Sequence, residues 1–169
     1  MTPPRITIGG NAGRAYRREL AANLRRAAAR LSPPLKSLSV AIVDDATMSR
    51  LHQKFLRQRG PTDVLTFELE YDLTGRVIDG EVIICLHEAR RRVAGSGFAL
   101  KYELLLYALH GMLHLCGFSD RTKSGFEAMH ATEDRILTEL GIGPVFHGPK
   151  SPAPPRRRRN LRRPISGAR

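Results

Sequence analysis

The feature that most constrains this fold is an apolar segment, residues 100–116, that carries two histidines one helical turn apart. Leucine, alanine, methionine and tyrosine fill most positions around it, so a helix formed by this segment must be buried on nearly every side. His110 and His114 stand at i and i+4, which places both imidazoles on one helix face. Buried imidazoles need polar partners. The segment therefore predicts a central buried helix whose two histidines share a partner.

If the shared partner of the two histidines is a metal ion, the residues that follow this helix supply a candidate for its third ligand. Gly117 is a typical helix end, and a chain that reverses there brings Asp120 back toward the histidines. Three protein ligands and a water form a catalytic zinc site. We expect one Zn²⁺ ion on His110, His114 and Asp120, with other divalent metals as an alternative. Without a metal, the same residues would be a hydrogen-bonded core pair and a surface aspartate.

The residue directly after the first histidine argues against a zinc peptidase. Those enzymes carry H-E-x-x-H, in which the glutamate activates the metal-bound water. Here the second position is Gly111, which can neither accept nor donate a proton. A peptidase of that class would lack its general base.

The rest of the chain mixes strands and helices, bounded by proline and glycine turns. Alternating and helical patterns predict strands at 5–8, 37–43, 62–71 and 80–85, and helices at 15–31, 46–56, 86–94, 100–116 and 123–140. The expected fold class is α+β: a small mixed β-sheet with packed helices and the metal-binding helix at the centre.

Positive charge is concentrated at the C-terminal end. The chain has 28 lysines and arginines against 16 acidic residues, a net charge of +12. Eight of the basic residues and no acidic residue lie in residues 142–169, so only +4 remains for residues 1–141. Six of the eleven prolines lie there too, and such a segment cannot bury a core. We expect one domain over 1–141 and a disordered tail over 142–169. The tail is expected to bind the phosphates of rRNA without sequence preference, with a plain solubilising extension as the alternative.

The cysteines and the N-terminus indicate a cytoplasmic protein. Cys85 and Cys116 lie in apolar runs and form no C-x-x-C pair, so buried thiols are expected rather than a disulfide. The N-terminus lacks the apolar core of a signal peptide, and no apolar stretch is long enough to cross a bilayer. We therefore expect no membrane partner.

Several blocks of this sequence resemble the YbeY family of bacterial endoribonucleases. Residues 110–120, H-G-M-L-H-L-C-G-F-S-D, resemble the family signature H-G-x-L-H-L-x-G-Y-D-H. Residues 61–67, P-T-D-V-L-T-F, are similar to the family strand P-T-D-V-L-S-F, and residues 80–85, G-E-V-I-I-C, to G-D-I-V-I-C. A closing helix over 126–137 also matches. The resemblance covers about residues 5–141.

The resemblance implies a zinc-dependent, single-strand-specific endoribonuclease that acts in rRNA maturation, including 16S 3′ end processing, and in ribosome quality control. It implies RNA partners, above all rRNA and the small ribosomal subunit, and a metal in a cleft lined by basic residues. One alternative is a ribosome- or RNA-binding protein with a structural metal and little or no catalysis. Another is a hydrolase with a different substrate.

The third ligand position departs from the family pattern. The family usually has a histidine where this chain has Asp120, which lowers the charge of the site by one unit. A less positive site acidifies its bound water less effectively and accepts other divalent ions more readily. The neighbouring Arg121 is a candidate phosphate contact, with plain surface charge as the alternative.

A second departure precedes the P-T-D block. The family commonly has an arginine where this chain has Leu56, and an asparagine where it has His52. Arg57 and Arg59 are candidates to supply the missing catalytic charge, and a solvated loop is the alternative for both. His52 is a candidate acid–base residue.

Overall fold

The structure is a computed structural model that describes residues 2–31 and 33–145. Within that part of the chain the strands are β1 (Arg5–Gly9), β2 (Ser37–Val43), β3 (Val64–Tyr71) and β4 (Val77–Cys85). The helices are α1 (Arg17–Leu31), α2 (Asp45–Leu56), α3 (Leu86–Val93), α4 (Leu100–Leu115) and α5 (Lys123–Glu139), with a short 3₁₀ turn at Arg14–Tyr16.

The four strands form one mixed sheet in the order β1-β2-β4-β3. β1, β2 and β4 are parallel, whereas β3 pairs with β4 in the antiparallel direction. The predicted α+β class is thereby confirmed. β4 begins at Val77 rather than at the predicted Gly80, because its first residues pair with both neighbours: Asp79 lies opposite Ser37 of β2, and Val77 opposite Tyr71 of β3.

The two faces of the sheet carry different layers, since successive side chains of a strand point to opposite sides. On one face, Val82 and Ile84 belong to the main core together with α1, α4 and α5. On the other face, Leu65 and Ile83 pack with Met48 of α2 in a smaller cluster. The predicted central helix is confirmed, because residues 103–115 of α4 are all buried.

Side-chain caps and glycines end the helices where local sequence signals place them. The Asp44 carboxylate accepts from the backbone N–H of Thr47 at 2.8 Å. Hydrogen bonds from the backbone and side chain of Thr47 lower the pKa of Asp44 below its usual value. Gly117 and Gly141 directly follow the C-cap residues of α4 and α5, and both lie in the left-handed region with φ of 93° and 82°.

One ion pair joins the first turn of α2 to the last turn of α3. The Arg91 guanidinium donates to both Asp45 carboxylate oxygens at 2.8 Å and holds the pKa of Asp45 down at about 2.

The first residues of the predicted tail belong to the compact part of the chain. Ile142 and Val145 pack against the main core, and the Val145 N–H donates to Asp134 at 2.6 Å. Contacts with the core therefore continue past Gly141. The remaining tail, residues 146–169 with its arginine run, lies outside the described residues.

The cysteines are free thiols, Cys85 buried and Cys116 half-buried. Burial raises the pKa of each to about 12. Among the described residues, no helix combines the length and the apolar character needed to cross a membrane.

Candidate metal centre

α4 presents His110 and His114 side by side in the core. Both side chains are buried, and their Nε2 atoms lie 3.0 Å apart. The rings are nearly perpendicular, with centroids 4.6 Å apart. The predicted placement of both imidazoles on one helix face is confirmed.

A hydrogen-bond acceptor at Nδ1 of each ring determines which nitrogen carries the proton. The His114 Nδ1–H donates to the carbonyl oxygen of Phe118 at 3.1 Å, since a carbonyl can only accept. The His110 Nδ1–H donates to Glu133 at 2.8 Å, and the second oxygen of Glu133 accepts from His130 at 2.6 Å. With a proton on Nδ1 of each ring, the Nε2 atoms are the ones that face each other.

Two nitrogen lone pairs at 3.0 Å repel one another unless a positive species lies between them. Asp120 completes such a site: its carboxylate oxygens lie 3.9 Å from the Nε2 atoms of His110 and His114. Bonds of about 2.0–2.2 Å at tetrahedral angles place ligand atoms roughly 3.3–3.6 Å apart, between the two observed values. These three residues can hold a metal ion, and they are the one such cluster in the described part of the chain.

The turn between α4 and α5 delivers Asp120 to the histidines. Phe118 N–H donates back to Leu113, which closes the end of α4 at Gly117. Thr122 then caps α5 by accepting from the N–H of Gly125 at 3.1 Å. Asp120 therefore lies in a turn that is held by hydrogen bonds at the end of α4 and at the start of α5.

Sequence reasoning missed the role of α5 in supporting the site. Glu133 is fully buried and bridges His110 and His130. A carboxylate behind a ligating histidine fixes the tautomer and raises the basicity of the ring. A signal existed: Glu133 and His130 are polar positions beside the apolar face formed by Met129, Ile136 and Leu137 of the same helix. The sequence does not say which residue they face.

Position 111 has no room for a side chain. A Cβ added to Gly111 would lie 2.6 and 2.7 Å from the two methyl groups of Val82 and 3.1 Å from Thr66 Oγ1. The glutamate of a zinc peptidase therefore cannot be accommodated here, which strengthens the argument against that class.

The other predicted site residues belong to α2 and the loop after it. His52 is buried, and its Nδ1–H donates to the carbonyl oxygen of Gly60 at 2.8 Å, so the ring holds this loop in place. Arg57 closes α2 in the left-handed region with φ 54°, and its side chain and that of Arg59 are exposed. Arg121, beside Asp120, is exposed as well. Catalytic roles for Arg57, Arg59 and His52 stay predictions.

Comparison with known proteins gives one consistent family. The family model described as Endoribonuclease YbeY matches residues 12–141. Proteins named Endoribonuclease YbeY from Corynebacterium kroppenstedtii, Acidothermus cellulolyticus and Mycobacterium tuberculosis are 31%, 33% and 32% identical to this chain. These alignments cover 72%, 62% and 63% of this chain. They span 67%, 71% and 65% of the relatives' own lengths.

Among solved structures, the solution structure of a protein from Thermotoga maritima has the same fold. Its TM-score is 0.55 at 27% sequence identity, over 80% of this chain and 91% of the other.

Proposed function

The chain belongs to the Endoribonuclease YbeY family, and from this premise we propose that it is a metal-dependent endoribonuclease that cleaves single-stranded RNA. The observation that carries the proposal is the pair of Nε2 lone pairs that face each other at 3.0 Å with the Asp120 carboxylate beside them. A donor set of two imidazoles and one carboxylate suits a divalent cation and leaves positions for water and substrate.

His110, His114 and Asp120 would hold the ion, and Zn²⁺ is the metal we propose first because it favours imidazole nitrogen. When bound, the ion would supply Lewis acidity for phosphodiester hydrolysis. Glu133 and the Phe118 carbonyl keep both rings oriented with Nε2 toward the site. The carboxylate in place of a third imidazole lowers the positive charge, so harder cations such as Mn²⁺ are the alternative.

The proposed substrate is rRNA, including the 3′ end of 16S rRNA, on the small ribosomal subunit in the cytoplasm. A net charge of +12 favours a polyanionic partner. Arg57, Arg59 and Arg121 are exposed guanidiniums available to phosphate, and the His52–Gly60 hydrogen bond fixes the loop that carries the first two.

Metal content tests the site directly. We expect about one equivalent of zinc per chain after reconstitution, and less than about a tenth of an equivalent for His114→Ala, because two ligands alone hold zinc poorly. His87→Ala is the matched control, since His87 is a partly buried histidine outside the cluster and should leave the metal content unchanged. A metal-free wild-type protein would remove the proposal.

Cleavage of a single-stranded RNA then tests the activity with the same three proteins. Wild type and His87→Ala should cleave it, and His114→Ala should not. Equal cleavage by all three would identify a contaminating nuclease. Full metal content without cleavage would instead favour an RNA-binding protein with a structural metal.

A further inference from the structure

One face of α5 runs from the metal centre to the protein surface. Glu133, His130 and Phe126 lie at helical spacing on this face, and their exposed fractions are 0%, 1% and 41%. Glu133 contacts His110, His130 contacts Glu133, and the Phe126 ring packs on the His130 ring with centroids 4.1 Å apart. Phe126 is therefore the outermost member of a line of contacts that begins at a metal ligand.

The Phe126 ring is close to the site and held in orientation. Its plane stands at 79° to the His130 ring, whose centroid is 6.2 Å from that of His110. The Phe126 and His110 rings are thus separated by no more than about 10 Å. The Phe126 ring is 41% exposed, although the His130 ring that it contacts is buried. Part of the Phe126 ring is therefore accessible to a ligand.

Exposed basic residues precede Phe126 in the sequence. Arg121 lies in the turn before α5, and Lys123 is the first residue of α5, three positions before Phe126 and therefore on the same side of the helix. Glu127 is the exposed acidic neighbour. An aromatic ring beside basic side chains is the arrangement that binds single-stranded nucleic acid, because bases stack on the ring while phosphates meet the cations.

We propose that Phe126 is a specificity-determining residue that stacks on an unpaired base next to the phosphate at the metal centre. The inference rests on the proposed function, and it identifies Phe126 as the residue that makes the enzyme prefer single-stranded over double-stranded RNA. Bases in a duplex are already stacked on their neighbours, so only an unpaired base can turn onto the ring.

The test uses the full-length protein and a short single-stranded RNA that contains one 2-aminopurine, whose fluorescence falls when the base stacks on an aromatic ring. The variants are Phe126→Ala, Phe126→Leu and Phe126→Tyr. Leucine keeps an apolar side chain against His130 but offers no ring, and tyrosine keeps the ring. Phe55→Ala is the matched control, because Phe55 is also exposed, at 37%, but lies on α2 against Phe67.

Wild type, Phe126→Tyr and Phe55→Ala should quench the probe and bind it equally. Phe126→Ala and Phe126→Leu should lose the quenching and bind about five- to twentyfold more weakly. In cleavage, KM should rise by the same factor while kcat and zinc content stay near wild type. Unchanged quenching and affinity in Phe126→Leu would overturn the proposal, as would equal losses in Phe55→Ala.

The two proposals fail in different ways. Cleavage by the wild-type protein with no quenching would reject stacking and leave the nuclease intact. Quenching that depends on Phe126 without any cleavage would reject the nuclease and leave the base-binding site. A fall in zinc content in Phe126→Leu would assign the ring a purely structural role behind His130 and would overturn the proposal as well.

Discussion

At the scale of single residues, Glu133 decides which nitrogen of His110 faces the candidate metal site. Its two oxygens accept from His110 and His130 at 2.8 and 2.6 Å, and it has no exposure to solvent. Because both hydrogen bonds require an acceptor, the carboxylate keeps the proton of His110 on Nδ1. The lone pair of Nε2 then faces the ligand position.

Glu133→Gln should weaken zinc binding about 10- to 100-fold, as measured by competition with a chelator of known affinity. Glutamine has the same shape, but its NH₂ group must face one of the two Nδ1–H donors and cannot accept from it. Glu127→Gln removes the same charge from an exposed position of the same helix and should bind zinc like the wild type. Equal affinity of all three proteins would show that Glu133 does not set the tautomer.

At the scale of elements, α4 depends on close approach to the sheet. Gly111 lets the helix backbone lie directly on Val82 of β4 and Thr66 of β3. The same contact sets the height of the neighbouring His110 above the sheet. The glycine that excludes a peptidase glutamate is therefore also a packing residue, at the usual cost in helix propensity.

Gly111→Ala should lower the free energy of unfolding by up to about 2 kcal/mol, because overpacking costs about 1–3 kcal/mol and the gain in helix propensity returns about 1 kcal/mol. Val82 is fully buried and β-branched, so its methyl groups cannot rotate away. Gly9→Ala is the control, since nothing lies within 4 Å of a Cβ at that position. Urea titrations measure both, and a Gly111→Ala protein as stable as Gly9→Ala would contradict the packing role.

At the scale of the whole molecule, the charge of the chain is divided between its domain and its tail. All eight basic residues of residues 142–169 lie beyond Val145, the last described residue. Ile142 and Val145 contact the core, so a truncation intended to leave the domain intact belongs after Val145 rather than after Gly141.

A chain that ends at Val145 should bind single-stranded RNA more weakly and with less dependence on salt. The slope of log K against log salt concentration should fall by about 0.7 for each RNA phosphate that the tail neutralises in the full-length protein. Zinc content should not change, because the ligands lie in the domain. Full-length protein with the tail residues shuffled keeps the same charge and should keep the wild-type slope. An unchanged slope after truncation would show that the tail does not bind RNA.

The sequence by itself determined the features that follow from local rules. Helical spacing placed His110 and His114 on one face, and glycines marked the ends of α4 and α5, because periodicity and backbone freedom act within a few residues. The Asp44 cap of α2 obeys the same local rules, because its carboxylate accepts from a backbone N–H only three residues along the chain.

Only the tertiary structure decided which distant residues meet. Glu133 reaches His110 across 23 positions of sequence because α5 packs beside α4, and no local pattern specifies that pairing. The position of β4 between β2 and β3 and the contact between Gly111 and Val82 depend in the same way on packing. Local preferences determine where helices and strands form, whereas burial of their apolar faces determines which of them pack together.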